Sequence, residues 1–61
     1  MPVTTTEKLA ELLNERSYRQ RVFARLVAER RMTQPTADAR MRVLDAIIAD
    51  YRERDAEERL T

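Results

Sequence analysis

Few side chains in this 61-residue chain could perform chemistry, because it contains no His and no Cys. There is thus no imidazole to carry protons near neutral pH, and neither a thiolate nor an imidazole to bind a metal ion. Ser17 has no histidine to activate it, so we interpret it as a residue of a helix surface. The chain also lacks Gly, which excludes a glycine-rich phosphate-binding loop.

The carboxylates are numerous, but their spacing argues against catalysis and metal binding. Glu7, Glu11 and Glu15 recur every four residues, and so do Glu53 and Glu57. This spacing places each group on one side of a helix, away from the apolar positions. Metal sites of helical bundles normally add a Glu-x-x-His element on an inward face. We therefore expect no catalytic residue, no metal site and no cofactor, and hence no enzyme.

Arginine is the remaining chemically distinctive side chain. Residues 15–31 carry six arginines and two glutamates, whereas residues 43–61 carry six acidic residues and three arginines. Basic side chains on a helix are candidates for contacts with nucleic-acid phosphates, and the candidates are Arg21, Arg25, Arg30 and Arg31. The net charge of only +1 favours the alternative, in which surface arginines pair with acidic residues of neighbouring helices.

Two long helices must position these side chains. The chain is 43% hydrophobic and 38% charged, with no Gly and two Pro, a composition typical of long helices. The segment Met32-Thr33-Gln34-Pro35-Thr36 interrupts the helical pattern near the middle. We predict an all-α fold in one domain of residues 1–61. It would comprise helix 1 at about 4–31, a turn at about 32–35 and helix 2 at about 34–58, which together form a two-helix antiparallel hairpin.

Threonines mark the predicted helix starts. Thr4 and Glu7 have the three-residue spacing of a capping box, in which each side chain binds the backbone N–H of the other residue. Helix 2 would start at Thr33 or Gln34, since a proline such as Pro35 is tolerated in the first helical turn. The charged run of residues 52–59 would continue helix 2 as exposed helix, with ion pairs such as Asp55 with Arg59.

Both predicted helices carry apolar stripes that are too wide for a single neighbouring helix. Because small cores are usually completed by oligomerisation, we expect a homodimer that forms a four-helix bundle. The sequence leaves open whether the stripe of helix 1 is dimer core or a docking surface for another protein. The candidate residues for dimer core or partner binding are Tyr18, Val22, Phe23, Leu26, Val27, Leu44, Ile47, Ile48 and Tyr51.

Arg16 falls on the same side of helix 1 as the apolar residues Leu9, Leu13 and Val27. One interpretation is that its stem lies along apolar neighbours while its charged group reaches water. The other is that it is a buried polar group that fixes the register between two protomers.

No apolar run approaches the roughly 18 residues that a membrane-spanning helix needs. Residues 1–6 are too short and too polar for a signal peptide. We therefore expect a cytoplasmic protein with no membrane partner.

Part of the chain resembles a set of very small proteins encoded by bacteriophages and prophages of GC-rich bacteria. The similarity covers about residues 19–52. It rests on Arg21-Val22-Phe23, Leu26-Val27, Arg31-Met32-Thr33-Gln34, Ala37-Asp38, Ala46-Ile47 and Asp50-Tyr51. The related proteins often have an acidic residue where this chain has Thr36, so the start of helix 2 is expected to differ in detail.

The resemblance implies a phage-type origin and a location in the bacterial host cell, but it transfers no site residue, because the set has no established activity. Small phage proteins commonly bind a host protein and block it. We therefore expect a non-enzymatic interaction protein that modulates or inhibits a host protein. One alternative is a nucleic-acid-associated regulator that uses the arginine-rich surface. The other is a structural or assembly component of a phage.

Overall fold

The computed structural model describes residues 1–60 and shows two helices joined by a short turn. Helix α1 spans Thr5–Ala28 and helix α2 spans Gln34–Arg59. No strand occurs in the described range. The helices pack against each other in antiparallel directions, and the hairpin extends over 47 × 21 × 13 Å. The all-α helical hairpin predicted from the sequence is confirmed.

Thr4 caps the beginning of α1. Its Oγ1 accepts a hydrogen bond from the backbone N–H of Glu7 at 3.1 Å, as the capping-box spacing predicts. The Glu7 carboxylate differs from the prediction, since it accepts a hydrogen bond from the Thr4 hydroxyl, also at 3.1 Å. Its negative charge lies in the first turn, where it interacts favourably with the helix dipole.

The end of α1 corrects the prediction, because the helix stops at Ala28 and not near Arg31. Arg30 adopts φ = 60°, in the left-handed region. Its N–H donates to the Val27 carbonyl at 3.0 Å, and the N–H of Arg31 donates to the Leu26 carbonyl at 2.8 Å. These two bonds form a Schellman motif, whose left-handed position is usually occupied by Gly or Asn. The chain has no glycine, so this helix end lacks the residue by which such ends are recognised in a sequence.

The turn consequently lies at residues 29–33, earlier than the predicted 32–35. Thr33 is the N-cap of α2, and its Oγ1 accepts a hydrogen bond from the backbone N–H of Thr36 at 3.3 Å. Pro35 occupies the first turn, where the N–H that it lacks would have no partner within the helix. Of the two starts that the sequence left open, Thr33 and Gln34, the structure has Gln34 as the first helical residue and Thr33 as its cap.

The core is small and lies between the two helices. Its apolar side chains are only 3–7% exposed, and they are Phe23, Ala37, Leu44 and Ile48. The accessible surface is 5014 Å², whereas a compact monomer of 7.2 kDa would expose about 4,100 Å². The Cα radius of gyration is 14.3 Å, compared with about 10.5 Å for a compact chain of this length. The hairpin is therefore a single layer of helices with two open faces.

Candidate interaction surface

One open face carries the large exposed apolar side chains that lie away from the chain ends. Val43 is 62% exposed and Ile47 is 39% exposed. Tyr18, at the outer edge of this face and one turn before Val22, is 56% exposed. We call this side the apolar face, and define it as Leu12, Val22, Leu26, Val43, Ile47 and Tyr51.

The helical period explains why these residues share a face. On α1, the path from Leu12 to Leu26 advances by steps of three and four residues, through Glu15, Arg19 and Val22, which keeps it on one side of the helix. On α2, the apolar residues recur every four positions from residue 43 to residue 51. The groove between the helices on this side is lined by Lys8, Glu11, Leu12, Glu15, Ile47 and Tyr51.

Charged side chains both border and interrupt the apolar face, since Glu15 and Arg19 lie between Leu12 and Val22 on α1. Arg19 Nε donates to Glu15 Oε1 at 2.8 Å, an ion pair one helical turn apart. The guanidinium carbon of Arg40 lies 5.0 Å from the centre of the Phe23 ring. Arg54 lies at the same distance from the ring of Tyr51. In both contacts the charged guanidinium group lies over the aromatic ring, where the ring quadrupole attracts it.

The nine residues predicted for dimer core or partner binding do not lie together. Phe23, Leu44 and Ile48 are buried in the chain's own helix–helix contact. Val27 is half-buried and lines a groove on the opposite face. The others lie on the apolar face or at its edge, and they are Tyr18, Val22, Leu26, Ile47 and Tyr51.

Two residues of the apolar face were missed by the sequence prediction of the site. Leu12 lies fourteen residues, nearly four full turns, before Leu26, and Val43 lies four residues before Ile47. Both spacings keep the pairs on one side of a helix. The spacing was therefore the signal that could have added these two residues.

The opposite face, which we call the polar face, is centred on an ion pair. Arg16 Nε donates to Asp45 Oδ1 at 2.6 Å, and the Arg16 guanidinium also donates to Gln20 Oε1 at 3.5 Å. Both side chains of the ion pair are partly exposed, at 39% and 47%. The hydrogen bond raises the pKa of Arg16 and lowers the pKa of Asp45. Arg16 thus keeps contact with water, as in the first of the two interpretations, and its ion pair joins the two helices of one chain.

Hydrogen bonds between side chains join the free ends of the helices. The Thr6 hydroxyl donates to Asp55 Oδ1 at 2.7 Å, and the Thr5 hydroxyl donates to Glu58 Oε1 at 2.9 Å. Asp55 is only 7% exposed and also pairs with Arg59 at 3.1 Å. The predicted pair of Asp55 with Arg59 is present, but the prediction that this segment is exposed is wrong at Asp55. Helical spacing alone did not indicate that Thr6 would lie opposite this carboxylate.

The four arginines predicted for nucleic-acid contact are all exposed. Arg30 and Arg31 lie in the turn, while Arg21 and Arg25 project from the outer side of α1. Glu29 lies 3.9 Å from Arg25 and 3.7 Å from Arg31, so one carboxylate offsets part of this positive charge.

Ser17 and the acidic side chains are the remaining groups of the described residues that could take part in chemistry. Ser17 shares a shallow groove with Asp45, the one carboxylate among the residues that line it. The hydrogen bond from Arg16 lowers the pKa of Asp45, which makes this carboxylate a weaker base toward Ser17. In residues 1–60, no three acidic side chains converge on a position that could hold a metal ion.

Neither helix of residues 1–60 combines the length and the apolar character needed to cross a membrane. No family model, curated protein or solved structure matches the chain.

Proposed function

We propose that this chain is a non-enzymatic interaction protein that dimerises into a four-helix bundle and binds and modulates a second protein. The observation that carries the proposal is the apolar face, where Val43 and Ile47 stay exposed although the chain has only a small core. Exposed apolar side chains of this kind, surrounded by charged side chains, are typical of protein–protein contacts.

The second protein that we propose is a protein of the bacterial host, as the resemblance to phage proteins implies. A second copy of the hairpin on the apolar face leaves other surfaces open for it. One is the polar face around Arg16 and Asp45, and another is the outer side of α1, where Tyr18 is 56% exposed. Tyrosine is enriched in protein interfaces because it combines a large apolar ring with a hydrogen-bonding group.

Affinity capture from a lysate of the host, followed by mass spectrometry, tests this function. We expect the tagged chain to retain a specific protein at low and at high salt, because apolar contacts are screened little by ions. Tyr18→Asp should lose this protein, whereas Asn14→Asp, one turn earlier on α1 and also exposed, should retain it. If nothing specific is retained, or if both variants retain it equally, the proposed partner site is wrong.

A nucleic-acid-associated regulator remains the second candidate. The observation that favours it is the exposure of Arg25 and Arg31, whose side chains are 66% and 70% exposed near the turn. Contacts with phosphates would make the affinity for duplex DNA fall steeply as salt rises. A DNA titration at increasing salt concentration therefore separates this candidate from protein docking.

A further inference from the structure

We propose that the apolar face binds the apolar face of a second copy in an antiparallel arrangement, with the two-fold axis level with Ser17 and Asp45. This inference rests on the dimerisation proposed above. It adds the face that forms the contact, the relative direction of the two hairpins and the register of their side chains.

Contacts within one hairpin establish which residues of the two helices are level with each other. Near the turn, Phe23 contacts Arg40. At the middle Arg16 pairs with Asp45, and at the free ends Thr6 pairs with Asp55. The two residue numbers of each contact add to between 61 and 63. Residue 17 of α1 is therefore level with residue 45 of α2, close to the middle of the hairpin.

A symmetric contact between identical faces requires a two-fold axis in the plane between them. If that axis runs across the helices, the two hairpins are antiparallel, and each helix packs on the same helix of the other copy. Residues equally far from position 17 then face each other on α1. Leu12 of one copy meets Val22 of the other, and Glu15 of one copy meets Arg19 of the other.

The same axis produces complementary pairs on α2, where residues equally far from position 45 face each other. Val43 of one copy meets Ile47 of the other, and these are the two most exposed residues of the apolar face. Arg40 of one copy meets Asp50 of the other at the rim. With the axis at this single position, apolar side chains face apolar side chains on both helices, and positively charged side chains face negatively charged ones. Near the helix end Lys8 lies opposite Leu26, where its stem can pack while its ammonium group reaches water.

The parallel alternative opposes charged and apolar side chains. Its two-fold axis runs along the hairpin, so that α1 of one copy lies over α2 of the other. Rotation about this axis keeps every residue at the same level along the helices, so the register of this packing cannot be adjusted by sliding. Leu12 would then face Asp50, and Glu15 would face Ile47. Arg19 would face Val43. Burying a charge against an apolar side chain without a partner is costly, which disfavours this packing.

The exposed surface is also consistent with a second copy. The hairpin has about 900 Å² more accessible surface than a compact monomer of its mass. A stable interface of standard size takes about 800 Å² from each partner. Packing a second hairpin on the apolar face would therefore remove approximately the excess that the single layer leaves exposed.

Cysteine pairs can test the register cleanly, because the chain has no cysteine of its own. In the proposed dimer, Leu12→Cys/Val22→Cys places each new thiol opposite its counterpart in the other copy. Within one chain these positions are about 15 Å apart along the helix, which is too far for a disulfide. We expect air oxidation to convert most of this variant into a covalent dimer. The control Asn14→Cys/Ala24→Cys has the same separation outside the apolar face, and it should remain largely uncrosslinked.

A second cysteine pair tests the register even if the variant Leu12→Cys/Val22→Cys does not fold. Val43→Cys/Ile47→Cys replaces side chains that are already exposed, so the hairpin should fold as before. It should also form a covalent dimer, whereas the matched pair Arg42→Cys/Ala46→Cys should not. Circular dichroism checks that all four variants are helical, and mass spectrometry separates covalent dimers from disulfides within one chain.

Sedimentation equilibrium of the unmodified chain distinguishes a failure of the antiparallel register from a failure of dimerisation itself. A dimer whose cysteine pairs crosslink no better than their controls would overturn the antiparallel register and leave the proposed dimerisation intact. A folded monomer at micromolar concentration would overturn both, and it would leave the apolar face as a docking site for a different protein.

Discussion

Arg16 Nε lies 2.6 Å from Asp45 Oδ1, and this ion pair joins the two helices near the middle of the hairpin. Its position marks the level of one helix against the other, because the residues one turn before and after Asp45 are Met41 and Ala49, which have no carboxylate to pair with Arg16. The pair lies on the polar face and leaves the apolar face free for other contacts.

The first prediction concerns pH. The pKa of Asp45 is lowered in the folded state, chiefly by the hydrogen bond from Arg16. The folded chain thus binds this proton more weakly than the unfolded chain does. The stabilisation is complete above the ordinary pKa of an aspartate side chain and disappears as the pH falls through the lower pKa of the folded state. We expect Asp45→Asn to lower the melting temperature at neutral pH and to approach the wild type in strong acid. Melting curves that differ equally at every pH would contradict this role.

The second prediction concerns the left-handed residue of the turn. Because Arg30 adopts φ = 60°, its Cβ adds a steric cost that glycine would not have. We expect Arg30→Gly to raise the free energy of unfolding by about 1 kcal/mol. Arg31→Gly, next to it in the turn, is the matched control and should not stabilise the hairpin. Urea denaturation of both variants measures the difference. Equal unfolding midpoints for Arg30→Gly and Arg31→Gly would mean that the left-handed conformation of Arg30 does not destabilise the hairpin.

The third prediction concerns the buried carboxylate at the free ends of the helices. Thr6→Val keeps the shape of the side chain but removes the hydroxyl that donates to Asp55 at 2.7 Å. We expect a loss of about 1–2 kcal/mol in the free energy of unfolding, since a charged group 7% exposed loses one of its hydrogen bonds. Thr5→Val removes a similar bond at an exposed site and should cost less. If Thr5→Val lowered the free energy of unfolding more than Thr6→Val, the exposed hydrogen bond would be the more stabilising of the two and the prediction would be wrong.

The fourth prediction separates the core from the exposed outer side of α1. Phe23 is 7% exposed and packs between the helices, so Phe23→Ala should cost about 3–5 kcal/mol. That loss is a large part of the stability of a small domain. Tyr18→Ala, on the exposed side of the same helix, should leave thermal unfolding nearly unchanged. If the two variants melt alike, Phe23 does not form the core of the folded chain.

The fifth prediction concerns the direction of the two hairpins in the dimer. A spin label at Thr33 lies in the turn, about 18 Å along the helix from the proposed axis. The antiparallel dimer should therefore give a distance of about 36 Å between the two labels in pulsed electron paramagnetic resonance. Turns placed side by side would bring the labels within about 20 Å, little more than two helix diameters. That shorter distance would show that the parallel packing is the correct one.

The sequence by itself determined the hairpin, because the features that specify it act over a few adjacent residues. The spacing of apolar residues follows the helical period, and Thr4 and Thr33 cap the helices through local backbone bonds. Pro35 in the first turn of α2 marks the same boundary. The end of α1 was missed, because Arg30 takes a conformation that its side chain does not favour.

Only the tertiary structure decided which side chains meet across the two helices. A stripe of apolar residues defines a side of a helix, but it does not show where within that stripe the neighbouring helix packs. The structure places Phe23 in the core and leaves Ile47 exposed, although both belong to the predicted set. Asp55 is 7% exposed and accepts a hydrogen bond from Thr6, which lies 49 positions away in the sequence. Such contacts depend on the relative level and rotation of the helices, which no local pattern specifies.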